Sequence, residues 1–256
     1  MASSPTDFPP QYFTAPDGVR LAWRELGDGR PLVLIHGYFS TAFINWIRYG
    51  HAARIAAEGF RVIMPDLRGH GDSGRPHDPS AYPPDVLADD GLALVAHLGL
   101  DDYDLAGYSL GGRTSTRMLV KGAAPRRVVL SGMGLQGILD TAGRGEYFRH
   151  VLTHLGSFER GSTEWMTEGF LKTTGGDPVA LLNVLETFVD TTRDELAAID
   201  RPVLVVTGAE DDDNGSGQAL ADAIPGGRFQ SIPGNHMSAV TKPELGEAIA
   251  GFLGAE

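Results

Sequence analysis

A chain of 256 residues, 42% hydrophobic and 21% charged, has ordinary globular composition, is long enough to bury a core, and reads as one domain carrying an insertion. Its formal net charge of −12 repels phosphate backbones and anionic headgroups, which disfavours nucleic-acid and membrane partners. The absence of cysteine excludes disulfides, thiolate metal sites and a cysteine nucleophile, and leaves the redox compartment open.

The opening segment has neither the basic start nor the apolar core of a signal peptide, and no apolar run reaches transmembrane length. Residues 1–11 are therefore expected to be a loose tail on a cytoplasmic protein. Beyond them, strands are predicted at 19–26, 31–35, 60–65, 103–107, 127–131, 202–207 and 228–232. Most are continuous apolar runs, such as Leu32-Val33-Leu34-Ile35, which suit a parallel sheet covered on both faces. The first alternates more and is expected to be an antiparallel edge. Helical patterns at 45–58, 84–98, 110–121, 217–223 and 242–253 fall between the strands, predicting a doubly wound, mostly parallel α/β domain spanning residues 12–256. One stretch, about 135–198, shows no strand but has helix-like segments at 144–155, 162–172 and 178–190, and reads as a small helical lid insertion.

Where the fourth predicted strand meets a helix stands Gly107-Tyr108-Ser109-Leu110-Gly111, a Gly-x-Ser-x-Gly pattern. A serine on a sharp strand-to-helix turn needs neighbours without side chains, because the flanking backbones touch. The N-terminus of the following helix points its N–H groups and positive dipole end at a developing oxyanion. His36-Gly37-Tyr38, directly after the second predicted strand, is placed to supply the other half of an oxyanion hole, with the Tyr38 N–H joining that of Leu110. His36 itself is expected to hold the loop and not to transfer protons. Beyond Thr207 come Glu210, Asp211, Asp212 and Asp213, one of which would orient a histidine and stabilise its imidazolium. Spacing from Gly208 favours Asp211, with the other three left open. His236, in Pro233-Gly234-Asn235-His236, follows the last predicted strand and completes the order nucleophile, acid, histidine.

Together these segments resemble the α/β-hydrolase superfamily over nearly the whole chain. The match includes Asp66-Leu67-Arg68-Gly69-His70-Gly71-Asp72-Ser73-Gly74, which is similar to a structural loop of single-domain members, with Asp66 and Arg68 expected to pin it. The resemblance implies acyl transfer to water through Ser109, His236 and Asp211, on a small, hydrophobic ester or lactone, without cofactor or metal. Carbon-carbon bond hydrolases, cofactor-free haloperoxidases or perhydrolases, and small-molecule receptors share these motifs. Epoxide hydrolases and haloalkane dehalogenases of this fold carry aspartate where this chain has Ser109. Carbon-carbon bond hydrolases usually have a longer glycine-rich turn after His-Gly, where Tyr38-Phe39-Ser40-Thr41 stand here.

Candidate pocket residues are Tyr108, Trp46, Trp165, Met166 and Phe170, against the alternative that apolar residues at helical spacing pack the insertion onto the domain. His150 and His154, four apart, lack a third ligand, so no metal is expected. The expected partner is a small-molecule substrate, with the chain expected to be a monomer or a homodimer.

Overall fold

Side chains alternate across a strand, so a continuous apolar run feeds two faces at once. In the computed structural model, which describes residues 8–255, Leu32 and Leu34 enter one core with Val62 and Met64, while Val33 and Ile35 enter the other with Ile63 and Leu105. The strands are β1 (Gln11–Thr14), β2 (Arg20–Leu26), β3 (Arg30–Ile35), β4 (Phe60–Pro65), β5 (Asp104–Tyr108), β6 (Val128–Ser131), β7 (Val203–Gly208) and β8 (Arg228–Ile232). They form one sheet in the order β1-β2-β4-β3-β5-β6-β7-β8, with β2 antiparallel to β1 and β4 and the rest parallel.

Helices cover both faces. α1 (His51–Ala57) and α11 (Pro243–Gly254) place Ile55, Leu245, Ile249 and Leu253 on one core, whereas α2 (Val86–His97) and α3 (Leu110–Val120) place Val86, Leu94, Leu110 and Met118 on the other. Between β6 and β7 lie α4 (Leu135–Leu139), α5 (Ala142–Thr153), α6 (Thr163–Thr174), α7 (Pro178–Leu185) and α8 (Arg193–Ala197). α9 (Gly217–Asp222) and the one-turn α10 (His236–Ala239) complete the helices used below. Among the described residues no helix is long and apolar enough to cross a membrane.

The strand order reverses between β3 and β5, and ligands of open α/β sheets sit where such a reversal leaves a crevice at the carboxyl ends of the strands. The register pairs Ile35 with Gly107, which brings His36-Gly37-Tyr38 beside Tyr108-Ser109.

Four expectations are corrected. The antiparallel edge is β1, not the strand after it: Gln11 pairs with Trp23, so β2 is enclosed and four of its seven residues are buried. The tail does not extend to Gln11, because Arg24 Nε donates to the Phe8 carbonyl at 3.0 Å and Phe8 packs against the core; residues 1–7 lie outside the described residues. The helix predicted at 45–58 is broken, with a π-turn at Phe43–Ile47 and α1 restarting after Gly50, whose φ of 79° is left-handed. The segment predicted at 178–190 ends at Leu185, and α8 follows under a capping box in which Thr192 Oγ1 accepts from the Glu195 N–H and Glu195 reaches back to the Thr192 N–H.

Candidate active site

Ser109 sits between β5 and α3 with φ 54° and ψ −114°, a backbone conformation that L residues avoid. Two backbone bonds hold it: its N–H donates to Ser131 O at 2.8 Å, and its carbonyl accepts from the Arg113 N–H at 3.0 Å. The turn is sharp enough that a Cβ on Gly107 would lie 2.2 Å from the carbonyl of Gly111, so this position tolerates only glycine.

Ser109 Oγ lies 3.0 Å from His236 Nε2, and His236 Nδ1 lies 3.0 and 3.2 Å from the two carboxylate oxygens of Asp211. With Nδ1–H donating to the carboxylate, Nε2 carries the lone pair that faces the serine hydroxyl. Asp211 is the buried acid of its run, while Glu210, Asp212 and Asp213 are exposed. The histidine is held from behind, since Tyr108 Oη donates to the His236 carbonyl at 2.6 Å and Asn235 caps α10. Tyr108 thus braces the base as well as lining the cavity, a bond that joins residues 128 apart and leaves no local signal.

On the opposite wall, the Gly37 N–H donates to Asn45 Oδ1 at 2.7 Å, and Asn45 is buried. This side chain fixes the turn that presents Tyr38, and its amide inside a helix-like stretch gave no reason to single it out. The Tyr38 N–H has no acceptor among the described residues, and as the first residue of α3 Leu110 has no intrahelical acceptor. The Tyr38 hydroxyl donates to Leu181 O at 2.7 Å, tying this wall to α7.

His36 behaves as a brace: Nε2 accepts from the Leu67 N–H at 2.9 Å, leaving Nδ1–H to donate to the Gly37 carbonyl at 2.8 Å. Asp66 accepts from the Ala42 N–H and from Arg24, and Arg68 forks onto Asp90, so the 66–74 loop is pinned as expected. Burial pushes His36 down to about 4, and burial with the neighbouring His36 pushes His70 down to about 3. Unfolded, both take up protons near pH 6.5, so their contribution to stability is complete above that pH and lost as pH falls toward 4. Each is expected to steepen the decline by up to about 1.4 kcal/mol per pH unit. Urea denaturation stepped down from neutral pH checks this, and a stability independent of pH between about 6.5 and 5 would contradict it.

A cavity of about 160 Å³ opens onto Ser109 and His236. Its walls include Tyr38, Phe39 and Asn45 below, and Tyr147, Phe148, Thr163, Thr167 and Phe170 from α5 and α6 above. Of the expected pocket residues, Tyr108 and Phe170 line it, and three do not. Trp46 is wholly buried beside Leu32, Leu34 and Ile55 beneath the sheet. Trp165 and Met166 are 42% and 56% exposed, because Thr163, Thr167 and Phe170 share the cavity-facing stripe of α6 and residues 165 and 166 fall off it. Asp213 approaches Asp211 and His236, but its carboxylate is engaged by the Arg144 guanidinium, a cation that a metal ion would have to confront.

A family model described as the alpha/beta hydrolase fold matches residues 30–132, from β3 through the serine turn to the end of β6. The chain is similar to the dihydrolipoyllysine-residue acetyltransferase component of the acetoin cleaving system of Pseudomonas putida, 40% identical over 52% of this chain and 34% of that protein. It is also similar to a soluble epoxide hydrolase of Corynebacterium sp. (strain C12), 38% identical over 38% of this chain and 32% of that one. The aligned part thus spans about a third of the length of these two relatives. Among solved structures, a hydrolase from Pseudomonas aeruginosa PA01 superposes with a TM-score of 0.79 at 25% identity, covering 96% of this chain and 98% of the other.

Proposed function

We propose that this chain, which belongs to the α/β-hydrolase superfamily, hydrolyses a small hydrophobic carboxylic ester or lactone through an acyl-enzyme on Ser109. The observation that carries this reading is the unbroken relay from Ser109 Oγ through His236 to Asp211, with steps of 3.0 Å, at the floor of an aromatic cavity. His236 Nε2 takes the hydroxyl proton as Ser109 Oγ attacks the carbonyl carbon, and the oxyanion rests on the Tyr38 and Leu110 N–H groups. Collapse breaks the bond to the alcohol oxygen, which receives the proton from His236. Water then gives a proton to His236 and attacks the acyl carbon, and collapse of the second tetrahedral intermediate returns that proton from His236 to Ser109 Oγ as the acid leaves. Asp211 holds the imidazole in the tautomer that both half-reactions need. The inserted helices α5 and α6 serve as the lid, walling the acyl group from water.

The epoxide-opening chemistry of the Corynebacterium relative does not transfer to this elbow. A carboxylate that opens an epoxide forms an ester whose carbonyl water can attack. Ser109 would form an ether instead, with no carbonyl, and could not turn over.

A serine-directed fluorophosphonate is expected to add one phosphonyl group to the intact protein, located on Ser109 by peptide mass spectrometry, and none to Ser109→Ala. Labelling at another serine, or none, would count against the proposal.

A further inference from the structure

Two charged side chains line the cavity beside the base: Arg144 from α5, and Asp213 from the loop after β7. Arg144 Nη2 meets Asp213 Oδ2 at 2.6 Å, and the guanidinium carbon lies 5.3 and 5.0 Å from the ring centroids of Tyr147 and Phe148, themselves cavity walls. Carboxylate oxygens of Asp213 and Asp211 and a ring nitrogen of His236 all lie within 4.8 Å of one another. Asp213 is therefore a second carboxylate at the site, one that no hydrolytic step uses. Arg144 cancels its charge, and the remaining negative charge, on Asp211, is turned away from the cavity toward His236.

We infer that the Arg144–Asp213 pair sets the charge class of the substrate, making the lid-side wall neutral so that the site takes uncharged esters and turns away those with a carboxylate on the acyl chain. The inference rests on the esterase reading. Its logic is that of complementary charges in a confined, partly dry space. Two opposite charges in contact present little field to a third group, whereas either one alone acts on whatever occupies the cavity. Both side chains keep some exposure, 25% for Arg144 and 40% for Asp213, so solvent moderates the effect without removing it.

Methyl pentanoate and monomethyl succinate are esters of similar length, one neutral and one carrying a carboxylate on the acyl chain. The parent protein is expected to favour methyl pentanoate. Asp213→Asn leaves Arg144 uncompensated and should raise the ratio of kcat/KM for the anionic over the neutral ester about tenfold; Arg144→Gln should lower it by a similar factor. A general loss of folding would scale both esters together and cannot move the ratio in opposite directions in the two variants. A ratio that stays fixed in both variants, or moves the same way in both, overturns the inference. Binding of the unreactive amides pentanamide and succinamate, followed by saturation-transfer NMR, reads the same preference without turnover. A protein that hydrolyses neither ester would sink the esterase reading, and the amide ratios would still decide whether the pair selects on charge.

Discussion

Ser109→Ala is expected to lower kcat on a short p-nitrophenyl ester by about 10⁴- to 10⁶-fold, with His236→Ala falling as far and the double variant no further. The three outcomes agree because the two side chains form one device. Without the serine oxygen there is no acyl-enzyme, and without His236 Nε2, 3.0 Å away, nothing takes the proton at the moment of attack. Asp211→Asn removes the charge facing Nδ1 and favours the wrong imidazole tautomer, which is expected to cost about 10⁴-fold. Some catalysis should survive in each, because the Tyr38 and Leu110 N–H groups still bind an oxyanion that water can generate. Ser109→Ala should fold normally, since among the described residues the Ser109 hydroxyl bonds to His236 alone, while the backbone bonds to Ser131 and Arg113 remain. Steady-state kinetics with a melting curve for each variant checks the set. Full activity in Ser109→Ala would remove the nucleophile from the proposal, and additive losses in the double variant would argue against a relay.

The sheet was legible because its central strands are buried on both faces and advertise this as unbroken apolar runs. β4 and β8 fall at the predicted residues, and β3, β5, β6 and β7 within one residue at each end. β1 escaped because an edge strand of four residues, Gln-Tyr-Phe-Thr, buries only Phe13 and carries no such run. The reacting groups were legible for a different reason. Each sits just past the carboxyl end of a strand, so locating the strands located Ser109, Asp211 and His236 as well. The groups that steady the site were not, because Asn45 on Gly37 and Tyr108 on His236 are bonds between segments that only the folded chain brings together, as is the Arg144–Asp213 pair beside the base. The pocket side of α6 was missed on phase. Trp165 and Met166 are the more hydrophobic residues, yet Thr163, Thr167 and Phe170 face inward, because the buried Glu168 and Leu171 fix the helix's rotation. The capping box at Thr192 and Glu195 was readable and points to α8 without any tertiary information.

Gly111→Ala is expected to be more damaging to the fold than any substitution of the reacting groups, destabilising by more than about 4 kcal/mol or preventing recovery of folded protein. Helix position alone would argue the reverse, since alanine is favoured over glycine in a helix interior by up to about 1 kcal/mol. Contact decides the sign. A Cβ on Gly111 would lie 2.1 Å from the Ile35 carbonyl oxygen and 2.9 Å from that of His36, so the first turn of α3 rests directly on the backbone at the end of β3. Neither partner is a side chain that can swing aside, and relief requires α3 to lift off the sheet. That movement would separate Leu110 from Tyr38 and carry Ser109 away from His236, so any folded fraction should also have lost its activity. Gly169→Ala supplies the control, because at that position in α6 no described residue outside its own stretch of helix lies within 4 Å of a new Cβ. It is expected to stabilise by about 0.5–1 kcal/mol, the ordinary helix preference. Urea denaturation followed by circular dichroism compares the two, and a Gly111→Ala protein as stable as the parent would mean that α3 and β3 do not meet at this turn.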